Sequence, residues 1–181
     1  MYQYTLLESY IKDLLFSMCV LVPNQLTMER LAKRAKIKLH YIDDSSVVSY
    51  YDGQVHIFID SRLSIEKQWV DFCHEFCHAT THFGDQMRLP KSFVDYQEAK
   101  ARNFAMHMAV PTFMLIKMKL PFNIVDAAYI VAETFGVPPN FALRRLHHFE
   151  NQVLSAESYD RFRKSVPTYC NLMNYGTSEE V

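Results

Sequence analysis

Glycine is scarce, with four in 181 residues, and the chain contains no glycine-rich linker, internal repeat or low-complexity tract. Cysteine is scarce too. Cys19, Cys73, Cys77 and Cys170 are too few for a disulfide scaffold and would stay thiols in a reducing compartment. Charge of one sign is lacking: a net charge of −1 makes the molecule as a whole no electrostatic trap for nucleic acid or acidic lipid. Long apolar runs are missing as well. Leu14–Val22 is far too short to span a bilayer, and the first residues lack the basic start and unbroken apolar stretch of a secretory leader. These absences predict a cytoplasmic protein with no membrane segment. What remains is 49% apolar, 22% charged and 14% aromatic, enough for one domain or one core with a small appendage.

Apolar residues recur at helical spacing over 3–20 (Leu6, Leu7, Tyr10, Ile11, Leu14, Leu15, Met18), and a second helix is expected from the N-cap Thr27 to Lys36. The period then shortens to two. "IKLHYID" (37–43), "VVSYY" (47–51) and "QVHIFID" (54–60) read as strands, the last two joined by Asp52-Gly53, a hairpin signal. The expectation is an antiparallel three-stranded meander. Ser64 offers the next N-cap, for a helix to about His82 that stops at Gly84. A loop is expected over 85–93 and a helix over 94–109, ended by Pro111. Further helices are expected over 112–118, 123–135, 139–152 and 156–165, then a loose polar tail. The fold class is α+β, mostly helical.

The chemistry is concentrated in "VDFCHEFCHATTH" (70–82). His74 and His78 stand at i and i+4, about 40° apart around a helix and about 6 Å along it, so both imidazoles can reach one Zn²⁺. Glu75 lies about 100° round from His74, beside the ion and not on it, where a carboxylate can take a proton from activated water. This is the metallopeptidase reading of H-E-x-x-H. Three other candidates compete. His82 is about 12 Å up the helix from His74, too far to share the ion. Cys73 and Cys77 sit on a rotated face, and four ligands from six consecutive helical residues converge poorly, so they read as buried thiols packing as small hydrophobes.

A further ligand has to come from elsewhere. In the 94–109 helix, Ala101, Phe104, Ala105 and Met108 form the buried stripe, and Glu98 lies at its edge. A carboxylate there needs a cation, either a metal or Arg102 one turn on. Asp95 is a fallback.

Three blocks in order resemble the ImmA/IrrE family of zinc metallopeptidases: "GQVHIFIDSRLSIEKQWVDFCHEFCHATTH", "YQEAKARNFAMHMAVP" and "AETFGVPPNFALRRL". The resemblance implies a zincin-like core with the sheet beside the H-E-x-x-H helix, Zn²⁺ on His74, His78 and the acidic Glu98 of the second block, and Glu75 as general base. The chain departs from the family pattern at Lys100, Arg102 and Cys77, where the family has a second acid, Asn and commonly Gly. It further implies hydrolysis of a peptide bond in a helix-turn-helix repressor, an anti-repressor role of the short phage- or mobile-element type. His107 and several tyrosines are candidates for an oxyanion donor.

The expected division is a catalytic core over 1–120, a helix-turn-helix-like helical subdomain over 121–170 and a flexible tail over 171–181. The alternative is a DNA-binding or repressor-binding regulatory module without proteolysis. It rests on the helix-turn-helix silhouette of "AAYIVAETFGVPPNFALRRLHHF", with Arg144 and Arg145 on its second helix. Residues 140–165 carry five basic side chains against three acidic, too small an excess to favour DNA.

Overall fold

In the computed structural model, which describes residues 2–81 and 90–165, the chain runs through helix α1 (Leu6–Ser17), a 3-10 turn (Pro23–Gln25) and helix α2 (Met28–Ala35). Strands β1 (Lys38–Ile42), β2 (Val47–Tyr51) and β3 (Gln54–Asp60) follow. Helices α3 (Ile65–Thr81), α4 (Lys91–Ala109), α5 (Thr112–Leu115), α6 (Ile124–Phe135) and α7 (Pro139–Ser165) complete it. The architecture is α+β, mostly helical with one small sheet. No helix among the described residues is long and apolar enough to cross a membrane. His82, Cys170 and the tail over 171–181 lie outside the described residues.

Local chemistry accounts for most boundaries. Thr5 and Glu8 form a capping box at α1, and Thr27 caps α2. Gly136, at φ 62°, closes α6 in the left-handed conformation, and Pro138-Pro139 then start α7, where a missing N–H costs nothing. Asp52 and Gly53 have φ values of 51° and 68°, the pair of positive angles a two-residue type I′ hairpin needs.

The sheet is mixed, not the antiparallel meander expected. β2 and β3 form the hairpin, but β1 pairs with β3 in parallel, giving the order β1-β3-β2. The physical reason is burial. β3 carries Ile57 and Ile59, both fully buried, so the most apolar strand takes the centre and the connection over 43–46 carries the chain past its end. Two helix boundaries also differ. α4 begins at Lys91, inside the expected loop, with Pro90 preceding it. α7 is one helix and not two, since neither glycine nor proline interrupts 140–165.

One core unites the elements. The buried stripe of α3 is Trp69, Phe72, Cys73, Phe76 and Cys77, that of α4 is Ala101, Phe104, Ala105 and Met108, and both pack with Ile57, Ile59, Ile11 and Leu15. Cys73 and Cys77 are thus core residues, as expected of small hydrophobes.

A buried polar network ties α7 to α1. Arg145 is wholly buried; its Nε donates to the Val110 carbonyl at 3.2 Å and its Nη2 to Thr112 Oγ1 at 2.7 Å. Thr112 in turn donates to Glu8 at 2.6 Å, and Glu8 also accepts from Tyr2 and from the Thr5 amide. Burial alone would raise the Glu8 pKa, but these hydrogen bonds outweigh it and hold the carboxyl below its ordinary value. Burial lowers the Arg145 pKa to about 10, which leaves it charged at neutral pH. Of the two arginines in the DNA-binding alternative, Arg145 is therefore inaccessible to a phosphate. Glu8→Gln strands the Arg145 charge and is expected to destabilise the fold by about 3–5 kcal/mol. Paired Glu8→Met and Arg145→Met should cost less than the sum of the single changes, as read from urea midpoints.

Candidate metal centre

The face of α3 beside its core stripe carries Asp71, His74, Glu75 and His78. Helix periodicity sets these on one strip because the core claims Trp69, Phe72, Cys73, Phe76 and Cys77. α4 packs along α3, and Glu98 projects from it toward the same strip. The structure brings three donors together. His74 Nε2 and His78 Nε2 lie 3.1 Å apart. Glu98 Oε2 is 3.2 Å from His74 Nε2, and Glu98 Oε1 is 3.3 Å from His78 Nε2. Tetrahedral zinc with ligands at about 2.0–2.1 Å has ligand–ligand edges of about 3.3–3.4 Å. The two nitrogens are 3.1 Å apart and each meets a different Glu98 oxygen at 3.2–3.3 Å, spacings close to that edge, and one ligand atom from each of the three residues lies within 4.8 Å of the others. The residues present fit zinc. The His78 side chain is 6% exposed and that of Glu98 32%, so the cluster is anchored in the protein at one corner and opens to solvent at another.

Glu98 also lies 4.0 Å from Arg102, a long contact next to those with the histidines. Of the two cations considered for Glu98, Arg102 is within ion-pair range at its limit, while the nearer neighbours are the two imidazoles that would share a metal with it.

Glu75 stands outside the triangle. Burial is the main reason its pKa rises to about 7, with the Glu98 and Asp71 carboxylates adding to the rise and the Val48 amide, which donates to Glu75, opposing it. This value belongs to the metal-free site, where burial and the neighbouring carboxylates hold the proton on Glu75. Burial raises the Cys77 thiol, whose sulfur lies 3.2 Å from Thr81 Oγ1, and Cys77 does not join the His74, His78 and Glu98 group.

Other expectations are placed elsewhere. His107 does not reach this cluster. It lies buried near Glu8 and Arg145, with burial as the main cause of a pKa lowered to about 4, and its Nδ1 is 2.9 Å from the Asn103 carbonyl. It is therefore not an oxyanion donor at this site. Among the tyrosines, Tyr50 is beside α3, donating to the His78 carbonyl at 3.2 Å. The roles of Val48, Tyr50 and Asp71 were not read from the sequence. Asp71 is one helical turn before Glu75, a spacing that could have revealed it. Val48 and Tyr50 alternate onto one face of a strand, but no local pattern says which helix that face meets.

The chain matches the family model of a peptidase family, described as the IrrE N-terminal-like domain, over residues 23–147. It is 38% identical over 146 residues to the phage-like element PBSX protein XkdA of Bacillus subtilis strain 168, covering 81% of this chain and 74% of the relative. It is 36% identical over 140 residues to the uncharacterized protein YqaB of the same strain, covering 77% of this chain and 81% of the relative.

Two outcomes are expected. Glu98→Ala should weaken zinc binding by more than the roughly 10–100-fold that loss of an outer-shell partner costs, as measured by competition with a chromogenic chelator. In metal-free protein, the folded state holds the Glu75 proton more tightly than the unfolded chain. Stability should therefore fall as pH rises from 4.5 to about 7 and level off above. Glu75→Gln removes that loss, so the metal-free variant should be about 2–3 kcal/mol more stable than wild type at pH 8 and nearly equal at pH 4.

Proposed function

The chain belongs to the peptidase family of the IrrE N-terminal-like domain, and from that premise we propose that it is a zinc-dependent endopeptidase. The observation that carries the reading is the His74–His78–Glu98 triangle of tetrahedral-edge size, with a carboxyl near pKa 7 beside it. His74, His78 and Glu98 would hold the ion, in a zincin-like core over residues 1–120 with the helical subdomain of 121–170 packed on it. When bound, zinc polarises a scissile carbonyl and acidifies water.

The chain's own residues do the rest. Glu75 accepts the proton of the attacking water and returns it to the leaving amine. The Val48 N–H fixes the orientation of that carboxylate. β2 is an edge strand, and the Tyr51–Gln54 pair that closes the hairpin turns the backbone groups of Val48 and Tyr50 away from β3. A substrate segment laid along this edge as a fourth strand would lie beside Glu75. The substrate we propose is a helix-turn-helix repressor. One relative is named as a phage-like element protein, in keeping with a cytoplasmic anti-repressor that cleaves a helix-turn-helix repressor and derepresses a mobile element.

The test co-expresses the protein with a candidate helix-turn-helix repressor, with or without a chelator. Glu75→Gln is expected to keep zinc and lower the cleavage rate by about 10²–10⁴-fold. A variant that cleaves at close to the wild-type rate sinks the assignment of the base, and cleavage that survives the chelator sinks the role of zinc.

A further inference from the structure

Residues 29–38 hold five cations, Arg30, Lys33, Arg34, Lys36 and Lys38, against the single acid Glu29. Their net charge is +4 in a chain whose total is −1, so the rest carries −5. The fold keeps this charge outside. α2 buries Met28, Leu31 and Ala32, while Lys33, Arg34, Lys36 and Lys38 are exposed and form no ion pair among the described residues. Glu29 is already engaged, accepting from Tyr41 at 3.0 Å. Lys36 closes α2 at φ 58°, a conformation glycine adopts without strain, yet it is a cation that occupies it.

Of these, Lys33, Lys36 and Lys38 with Glu29 line a groove of about 850 Å³ between α2, β1 and the start of β3, a net +2, and Ala35, Leu39 and Val55 give it half-buried apolar lining. The sheet order puts this groove on the β1 side, about 10 Å of strand spacing from the β2 edge that meets Glu75. A segment held there would leave the metal centre open.

We propose that this groove is an exosite for a short acidic segment, anchored by apolar side chains, of the protein that the metal centre cleaves. The inference rests on the peptidase reading. Cationic rim and apolar lining together match such a segment. A nucleic acid duplex fits less well. It would gain nothing from the apolar lining, and its length would meet the −5 carried by the rest of the molecule, whereas a short segment sees only charges within a Debye length of about 8–10 Å. Holding one part of the substrate at the groove raises the effective concentration of another part at the metal centre.

The test is fluorescence anisotropy of a labelled peptide of Glu-Glu-Leu repeats on the Glu75→Gln protein. Binding is expected, weakening with added salt, and Lys33→Glu, Lys36→Glu and Lys38→Glu combined should weaken it about tenfold or more. Lys117→Glu with Lys119→Glu, exposed but outside the groove, should leave it unchanged. Glu-Glu-Gly repeats should bind more weakly. No binding of the Glu-Glu-Leu peptide, equal binding by the groove variant, an equal loss in the control variant, or equal binding of the glycine peptide each overturns the exosite. Tighter binding of a random-sequence DNA duplex overturns it in favour of nucleic acid. This readout needs neither metal nor turnover. A wild-type protein that binds the peptide but cleaves nothing counts against the peptidase reading. A groove variant that cleaves the repressor at the wild-type rate counts against the exosite alone.

Discussion

The close packing of α4 along α3 is the constraint on which the site depends. His74 and His78 come as a pair from one helix, but Glu98 reaches them only if the second helix lies near enough. The buried faces of the two helices are suited to that: α4 contributes Ala101 and Ala105, and α3 contributes Cys73 and Cys77. Small side chains on both faces permit a short interaxial distance. This gives Cys77 a physical role. It is buried in the core beside the histidine strip, and its thiol feels the charges of Glu98 and Lys100 on α4. A bulky residue there would press on the helix that carries the third donor. Its burial and raised thiol fit a small packing side chain.

Local features were legible in the sequence and most tertiary ones were not. The i, i+4 histidines, the flanking glutamate and the Asp52-Gly53 turn are set by helix and hairpin geometry, and each stands where its spacing implied. A carboxylate at the rim of a buried stripe needs a cation, which left a metal or Arg102 open for Glu98, and the family resemblance turned the choice toward the histidines. The strand order was illegible. Alternation identifies strands but not neighbours, and the parallel β1–β3 pairing follows from how deeply Ile57 and Ile59 are buried, a property of the assembled core. Arg144 and Arg145 show the same limit. They are adjacent letters of equal charge, yet helix geometry turns them about 100° apart. Arg144 faces solvent, while Arg145 enters a polar network completed by Glu8, over a hundred residues away. A tally of charge treats the two as equal.

The electrostatics of the strip follow from crowding. Asp71, Glu75 and Glu98 place three carboxyls around two imidazoles in a partly buried site. Without a cation, the least costly adjustment is for one carboxyl to hold its proton, and the most buried, Glu75, is the one pushed to about 7. A dication at the centre of the triangle would offset the repulsion and favour the ionised, proton-accepting form. In the proposed reading, the charge that activates water and the charge that readies its base are therefore the same.

The Val48 amide links this chemistry to the sheet. An open edge strand is a template for unwanted pairing, and proteins blunt such edges in various ways. Here β2 spends one of its outward donors on Glu75 and anchors Tyr50 to the His78 carbonyl, so the edge is braced against α3. The brace orients the carboxylate and also removes one hydrogen bond from any strand that tries to add. A substrate bound by augmentation must rely on the remaining groups of Val48 and Tyr50, fewer than a free edge supplies. Short edge pairing of this kind gives little affinity by itself. Selection of the correct protein then has to come from contacts away from the scissile bond, as the basic groove at the opposite edge of the sheet would provide.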